Sequence, residues 1–186
     1  MVRVTSHKRW YHGSSKLGAQ TILAEGIIRP GMPTKYRQDI PREDAVYVTS
    51  DKEIAMGYME KGGTVFEVEV DESKLIPDED IVFAMLEESL RPKTKLLEDR
   101  VLSDWAKYSF GVYGDRKPLT KKQAMQRFVF LAEKNMEDPF TIELAEEMKD
   151  FVEWIAEKNP KLAKDLITYG ETAAHLGPVR VVREAK

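Results

Sequence analysis

The chain has 186 residues, 42% hydrophobic and 33% charged, which suits one globular domain or a domain carrying a large insertion. It has no cysteine, which excludes a disulfide scaffold, a Cys-ligated zinc site, an iron–sulfur cluster and a thiol nucleophile. With 29 Lys+Arg against 32 Asp+Glu the net charge is −3, which argues against a surface built for non-specific nucleic-acid binding and leaves room only for a local basic groove. No segment approaches the roughly 18 consecutive apolar residues of a membrane span. The opening MVRVTSHKRWYHG lacks the apolar core of a signal peptide, so a cytoplasmic protein is expected. His7, His12 and His175 are scattered and form no His-Glu-x-x-His helix, so no metal is expected.

In chain order, Lys8–Tyr11 reads as a strand followed by Gly13-Ser14-Ser15. Ser14 or Ser15 caps a helix carrying Leu17, Ile22 and Leu23, which runs to about Glu25 and stops at Gly26. Arg29-Pro30-Gly31 and Met32-Pro33 force irregular chain, and the polar segment Thr34–Asp44, with Lys35, Arg37 and Arg42, reads as a loop. Ala45–Thr49 (AVYVT) is a compact strand, and Asp51 caps a short helix with Ile54, Ala55, Tyr58 and Met59. Gly62-Gly63 turns the chain into Thr64–Val70, whose alternation has the period of a strand.

Residues 76–167 hold three or four charged helices. Glu79–Leu90 is one, and Thr120-x-x-Gln123 is a capping box opening a second, with Ala124, Phe128, Leu131 and Ala132 on one face. Asp138-Pro139 starts a third, in which Phe140, Leu144, Met148, Phe151 and Ile155 make a core stripe. Its charges Glu143, Glu146, Glu147, Lys149 and Asp150 form the solvated face. From Ile167 two extended runs flank a Gly177-Pro178 turn, so the chain leaves a strand-rich region, makes a helical excursion and returns.

Singly, the polar residues of the strand-rich part are weak signals. A histidine at a strand end is usually structural, and a strand tyrosine is usually packing. Their joint order is more specific. Tyr11-His12-Gly13-Ser14, then Ile22-Leu23-x-x-Gly26-Ile27, then Val46-Tyr47-Val48-Thr49-Ser50 with Ala55 and Tyr58, resembles the NAD-binding half of the ADP-ribosyltransferase fold. The likeness is to the His-Tyr-Glu branch of diphtheria toxin and the poly(ADP-ribose) polymerases. The spacings 47 − 12 = 35 and 58 − 47 = 11 fit that branch, and Glu171 is the best placed third acid, with Glu184 its rival. The resemblance covers 9–75 well and 168–182 loosely. Where the family often has serine or threonine, three residues before the second tyrosine, this chain has Ala55.

The resemblance implies an α+β fold with a split β-sheet core from 1–75 and 168–186. It does not cover 76–167, which is expected from its length and capped amphipathic helices to be a helical insertion packed on that core and bordering the acceptor side of the cleft. It implies transfer of ADP-ribose from NAD, a co-substrate, to a macromolecular acceptor, protein or nucleic acid. His12, Tyr47 and Glu171 would be catalytic. His12, Gly13, Ser14, Arg29, Tyr47 and Tyr58 would bind NAD, with Gly13 admitting the carboxamide to the backbone and Arg29 or the basic loop meeting the pyrophosphate. Gly170-Glu171-Thr172 lacks the second acid of arginine-specific transferases. Two alternatives are an NAD-dependent RNA 2′-phosphotransferase, for which Arg9, Arg29 and Arg42 would speak, and a non-catalytic NAD- or ADP-ribose-binding module.

Overall fold

The computed structural model describes residues 8–31, 42–59, 61–91, 95–113, 119–137 and 143–185. Among them the fold is α+β, with seven α-helices and one open sheet of order β2-β7-β4-β1-β3-β6-β5. The contacts divide the chain into two units. The described residues of one lie within 8–31, 42–75 and 171–185, and those of the other within 76–170.

In the first unit β1 (Trp10–Ser14) runs past the expected end at Tyr11 and takes in His12, Gly13 and Ser14. Ser15, rather than Ser14, caps α1 (Lys16–Glu25) by accepting from the Gly18 N–H, and Gly26 closes the helix at φ 68°. Ile22 is buried, whereas Leu17 and Leu23 are exposed. β2 (Ile27–Ile28) pairs with β7 (Val179–Glu184). β3 (Ala45–Thr49) has the expected bounds, and Asp51 caps α2 (Lys52–Gly57) through the Glu53 N–H. β4 is Thr64–Glu69. A single 3₁₀ turn, Glu72–Lys74, leads into β5 (Leu75–Pro77), where the chain passes out of this unit. It returns in β6 (Thr172–Leu176), and Gly177, at φ 83°, turns it into β7.

The registers are antiparallel and uneven. β1 pairs with β4 over five residues, Trp10↔Val68 to Ser14↔Thr64, and β3 with β6 over five, Ala45↔Leu176 to Thr49↔Thr172. β1 and β3 share one pair, Tyr11↔Thr49. Phe66, Ile22, Ile28, Ala173 and Ala174 are buried in this unit. Removing a side chain the size of Phe66 or Ile22 from water contributes about 1.5–3 kcal/mol.

The second unit is helical: α3 (Glu79–Ser89), α4 (Leu96–Tyr113), α5 (Lys121–Glu137), α6 (Glu143–Lys158) and α7 (Pro160–Gly170). Among the described residues there are five helices where three or four were expected. The capping box is present: the Thr120 N–H donates to Gln123 Oε1 at 2.9 Å and the Gln123 N–H to Thr120 Oγ1 at 3.3 Å. Leu144, Met148, Phe151 and Ile155 line the core as their spacing required. On the opposite face Glu143, Glu146 and Asp150 are exposed, while Glu147 and Lys149 are half-buried. Ile167–Gly170 is the last turn of α7 and not an extended run. Asn159 Oδ1 accepts from the Leu162 N–H, and Pro160 takes the first helical position, where its missing N–H costs nothing. The core centres on Trp105, which meets Phe151 edge-on at 5.0 Å between centroids and donates Nε1–H to the Ala124 carbonyl. Asp138-Pro139, Phe140, and the loop residues Lys35 and Arg37 lie outside the described residues.

Candidate functional site

The candidate residues gather where β1 and β3, neighbours in the sheet, share a single registered pair. Beyond Tyr11↔Thr49 the two backbones share no further registered pair, and a side chain bridges them instead. His12 Nδ1 lies 2.9 Å from the Tyr47 carbonyl oxygen. A carbonyl only accepts, so Nδ1 carries the hydrogen. Burial holds the imidazole below its ordinary value of 6.5, and the hydrogen bond to Tyr47 opposes this without reversing it. At neutral pH the ring is therefore uncharged, and Nε2 presents a lone pair. His12 can accept from a hydroxyl there.

Gly13 is held by packing. A methyl group on its Cα would stand 2.1 Å from the Ala55 carbonyl oxygen and 3.3 Å from Tyr58 Cβ. Only glycine lets α2 lie this close to β1, so its glycine has a structural cause whatever a ligand requires. The same contact brings Ala55 and Tyr58 over the strand that carries His12. Tyr58 is the cap residue of α2 and is 55% exposed, so it is not a core tyrosine. Tyr47 is half-buried.

Glu171 sits beside the end of β3, two residues past Tyr47. Its carbonyl accepts from Thr49 Oγ1 at 2.8 Å, the Ser50 N–H at 2.8 Å and Ser50 Oγ at 3.4 Å. Among the described residues it is the one non-glycine with positive φ, at 56°. That conformation costs an L-residue about 1–2 kcal/mol. The position follows a helix end, where glycine is usual. Here glycine stands one residue earlier, because a side chain on Gly170 would meet Ile81 Cγ1 at 2.6 Å. The donors on its carbonyl hold Glu171 in place, and its side chain is exposed.

The other expected residues are placed apart. Ser14 is buried, with its hydroxyl donating to the Ser15 carbonyl. Arg29 follows β2, three strands from β1 or roughly 14 Å across the sheet, and pairs with Glu25 at 2.9 Å. Arg42 is buried and grips both oxygens of Asp44. Glu184 is exposed and pairs in register with Phe66, which pairs with His12, so it lies two strands from β1 on the side away from β3. His175 is buried and structural: Nδ1 donates to the Gly177 carbonyl and Nε2 accepts from the Asp71 N–H. Sequence reading missed Thr49 and Ser50, whose partner is more than 120 residues away and leaves no local signal.

Among the described residues no helix is long and apolar enough to cross a membrane, and no group of histidines and acids could hold a metal ion. Compared with known proteins, the chain matches no family model, no curated protein and no solved structure.

Proposed function

We propose that the protein transfers ADP-ribose from NAD to a macromolecular acceptor, protein or nucleic acid, and releases nicotinamide. The observation that carries this reading is the convergence of residues far apart in sequence. His12 is bonded to Tyr47 across the parting strands, and Gly13 lies beneath Tyr58. The single pair joining β1 to β3 supports a sheet split at this point, with the nicotinamide end of NAD in the split.

The chemistry suits these groups. Nicotinamide in NAD is a cationic leaving group, so its bond to ribose breaks without a strong general acid. The bonding pair leaves with nicotinamide, and the ribose becomes oxocarbenium-like, as in glycoside cleavage. Tyr47 and Tyr58 stack on the nicotinamide ring, each contributing about 0.5–1.5 kcal/mol. The lone pair of His12 Nε2 accepts from a ribose hydroxyl and orients the sugar. The Glu171 carboxylate stabilises the positive charge as it develops. The acceptor's hydroxyl or amine then attacks the ribose carbon, and its proton is released. Arg29 is tied only by an exposed pair worth about 0.3–0.5 kcal/mol, so it can exchange Glu25 for a phosphate. The engagement of Arg42 with Asp44 favours transfer of ADP-ribose over the RNA 2′-phosphotransferase alternative, which would use such arginines on phosphate.

Nicotinamide release from NAD in the presence of cell lysate tests the proposal. Glu171→Gln should lower kcat by roughly 10²–10³ with little change in NAD affinity, because the lost charge matters most in the transition state. Glu184→Gln should behave as wild type. NAD binding without any nicotinamide release would leave a non-catalytic module, and a fully active Glu171→Gln would remove that residue from the mechanism. Labelled product lost to nuclease or to protease identifies the acceptor.

A further inference from the structure

Among the described residues of the helical unit, one face of α5 stands apart from the core. Phe130 is 62% exposed, and Leu90, at the end of α3, is 40% exposed. With Met125 and Val129 they line a shallow apolar groove whose edges are Lys122, Gln126 and Glu133. The neighbouring charges are spent within the unit, since Lys121 pairs with Asp99 and Lys134 with Glu143. Lys122 and Glu133 take part in none of the ion pairs among the described residues. They stand at opposite ends of the face, three turns or about 16 Å apart.

This arrangement is its own complement. Take a second α5 laid antiparallel across the first, about a two-fold axis level with Arg127 and Phe128. Lys122 of each copy then faces Glu133 of the other, Met125 faces Phe130, and Gln126 faces Val129. The ion pairs and the sulfur–aromatic contacts each form twice. A parallel copy would instead set lysine against lysine and glutamate against glutamate. A two-fold interface must carry both halves of its complement on one patch, and this one does.

We propose that this face of α5 is the contact between two copies of the chain, packed antiparallel. A contact one helix wide is small beside the roughly 800 Å² per partner of a standard interface, so the dimer forms in the micromolar range or above. The inference does not rest on the activity proposed for the strand-rich unit.

The test is sedimentation equilibrium of the full chain from low micromolar to millimolar concentration. Wild type should dimerise, and Phe130→Glu should be monomeric throughout. Lys122→Glu and Glu133→Lys each turn two attractions into two repulsions and should weaken association at least about tenfold. The double variant K122E/E133K should restore it to within about threefold. Leu17→Glu, on the exposed side of α1, should leave it unchanged. All these positions are exposed, so melting curves should stay near wild type. A wild-type monomer at every concentration, as a face reserved for a different partner would give, overturns the proposal. So does a dimer that survives Phe130→Glu, or single reversals as tight as wild type.

Discussion

His12 is both a structural bridge and a titrating group. Its folded pKa lies below the ordinary 6.5, so near that pH the unfolded chain binds the proton more readily than the folded one. Its contribution is intact above 6.5 and is lost as pH falls from 6.5 towards the lowered value. Urea midpoints should therefore drop as pH is taken from above 7 to below 6, and His12→Gln should flatten the slope in that window. Asp71, whose carboxylate is held below 3.8 by Ser73, acts only at more acidic pH and does not confuse the measurement. Gly13 and Tyr58 are neighbours, since a methyl group on Gly13 would stand 3.3 Å from Tyr58 Cβ, and their variants should separate cleanly. Gly13→Ala forces backbone against a methyl group and should cost about 1–3 kcal/mol of stability, read from melting or urea curves. Tyr58→Ala removes an exposed ring. It should leave the melting point nearly unchanged while weakening NAD binding by about 1–2 kcal/mol in a titration. A large loss of stability with unchanged affinity would make Tyr58 a packing residue.

At the scale of elements, short-range hydrogen bonds set the boundaries and burial decides which elements survive. α1 and α5 begin where their caps begin, at Ser15 and Thr120. α7 forms although its end, Ile167-Thr168-Tyr169, has the composition of a strand. Leu162, Ala163 and Leu166 are buried on one face, and that burial outweighs a weak local preference. In the helical unit Trp105 meets rings from three other positions, Tyr108, Phe128 and Phe151, and hydrogen-bonds α5. Trp105→Ala should cost about 3–5 kcal/mol, seen as a fall in the urea midpoint. Trp105→Phe keeps the ring contacts and should lose much less.

At the scale of the whole molecule, one unit is assembled from stretches of sequence that precede and follow the other. In the helical unit the first turn of α3 meets the last residue of α7, Ile81 against Gly170. The excursion therefore starts and finishes at one place, the geometry that lets a segment be inserted in a sheet without tearing it. Residues 76–170 also own a closed aromatic core. Expressed alone, that segment should give a helical far-ultraviolet spectrum and one cooperative thermal transition. A broad, gradual melt would show that its core needs the rest of the chain.

What the sequence determined by itself is what neighbours within about four residues determine. Ser15, Gly26, Asp51 and the Thr120–Gln123 box act on adjacent backbone groups, so they were legible, as were the strand alternation of Thr64–Glu69 and the stripe from Leu144 to Ile155. The order His12, Gly13, Tyr47, Tyr58 was legible as a pattern. Only tertiary structure decided that β1 and β3 separate after one pair, that the His12 ring spans the gap with its hydrogen on Nδ1, and that α2 presses Ala55 onto Gly13. Only it placed Thr49 and Ser50 on the Glu171 carbonyl, put Arg29 three strands from β1, and left Leu17 and Leu23 in solvent while Ile22 went inside. These outcomes depend on strand order and on contacts between residues 35 to 122 positions apart. Local propensity carries no information about either, because the free energy that selects them comes from burial and hydrogen bonding in the assembled fold.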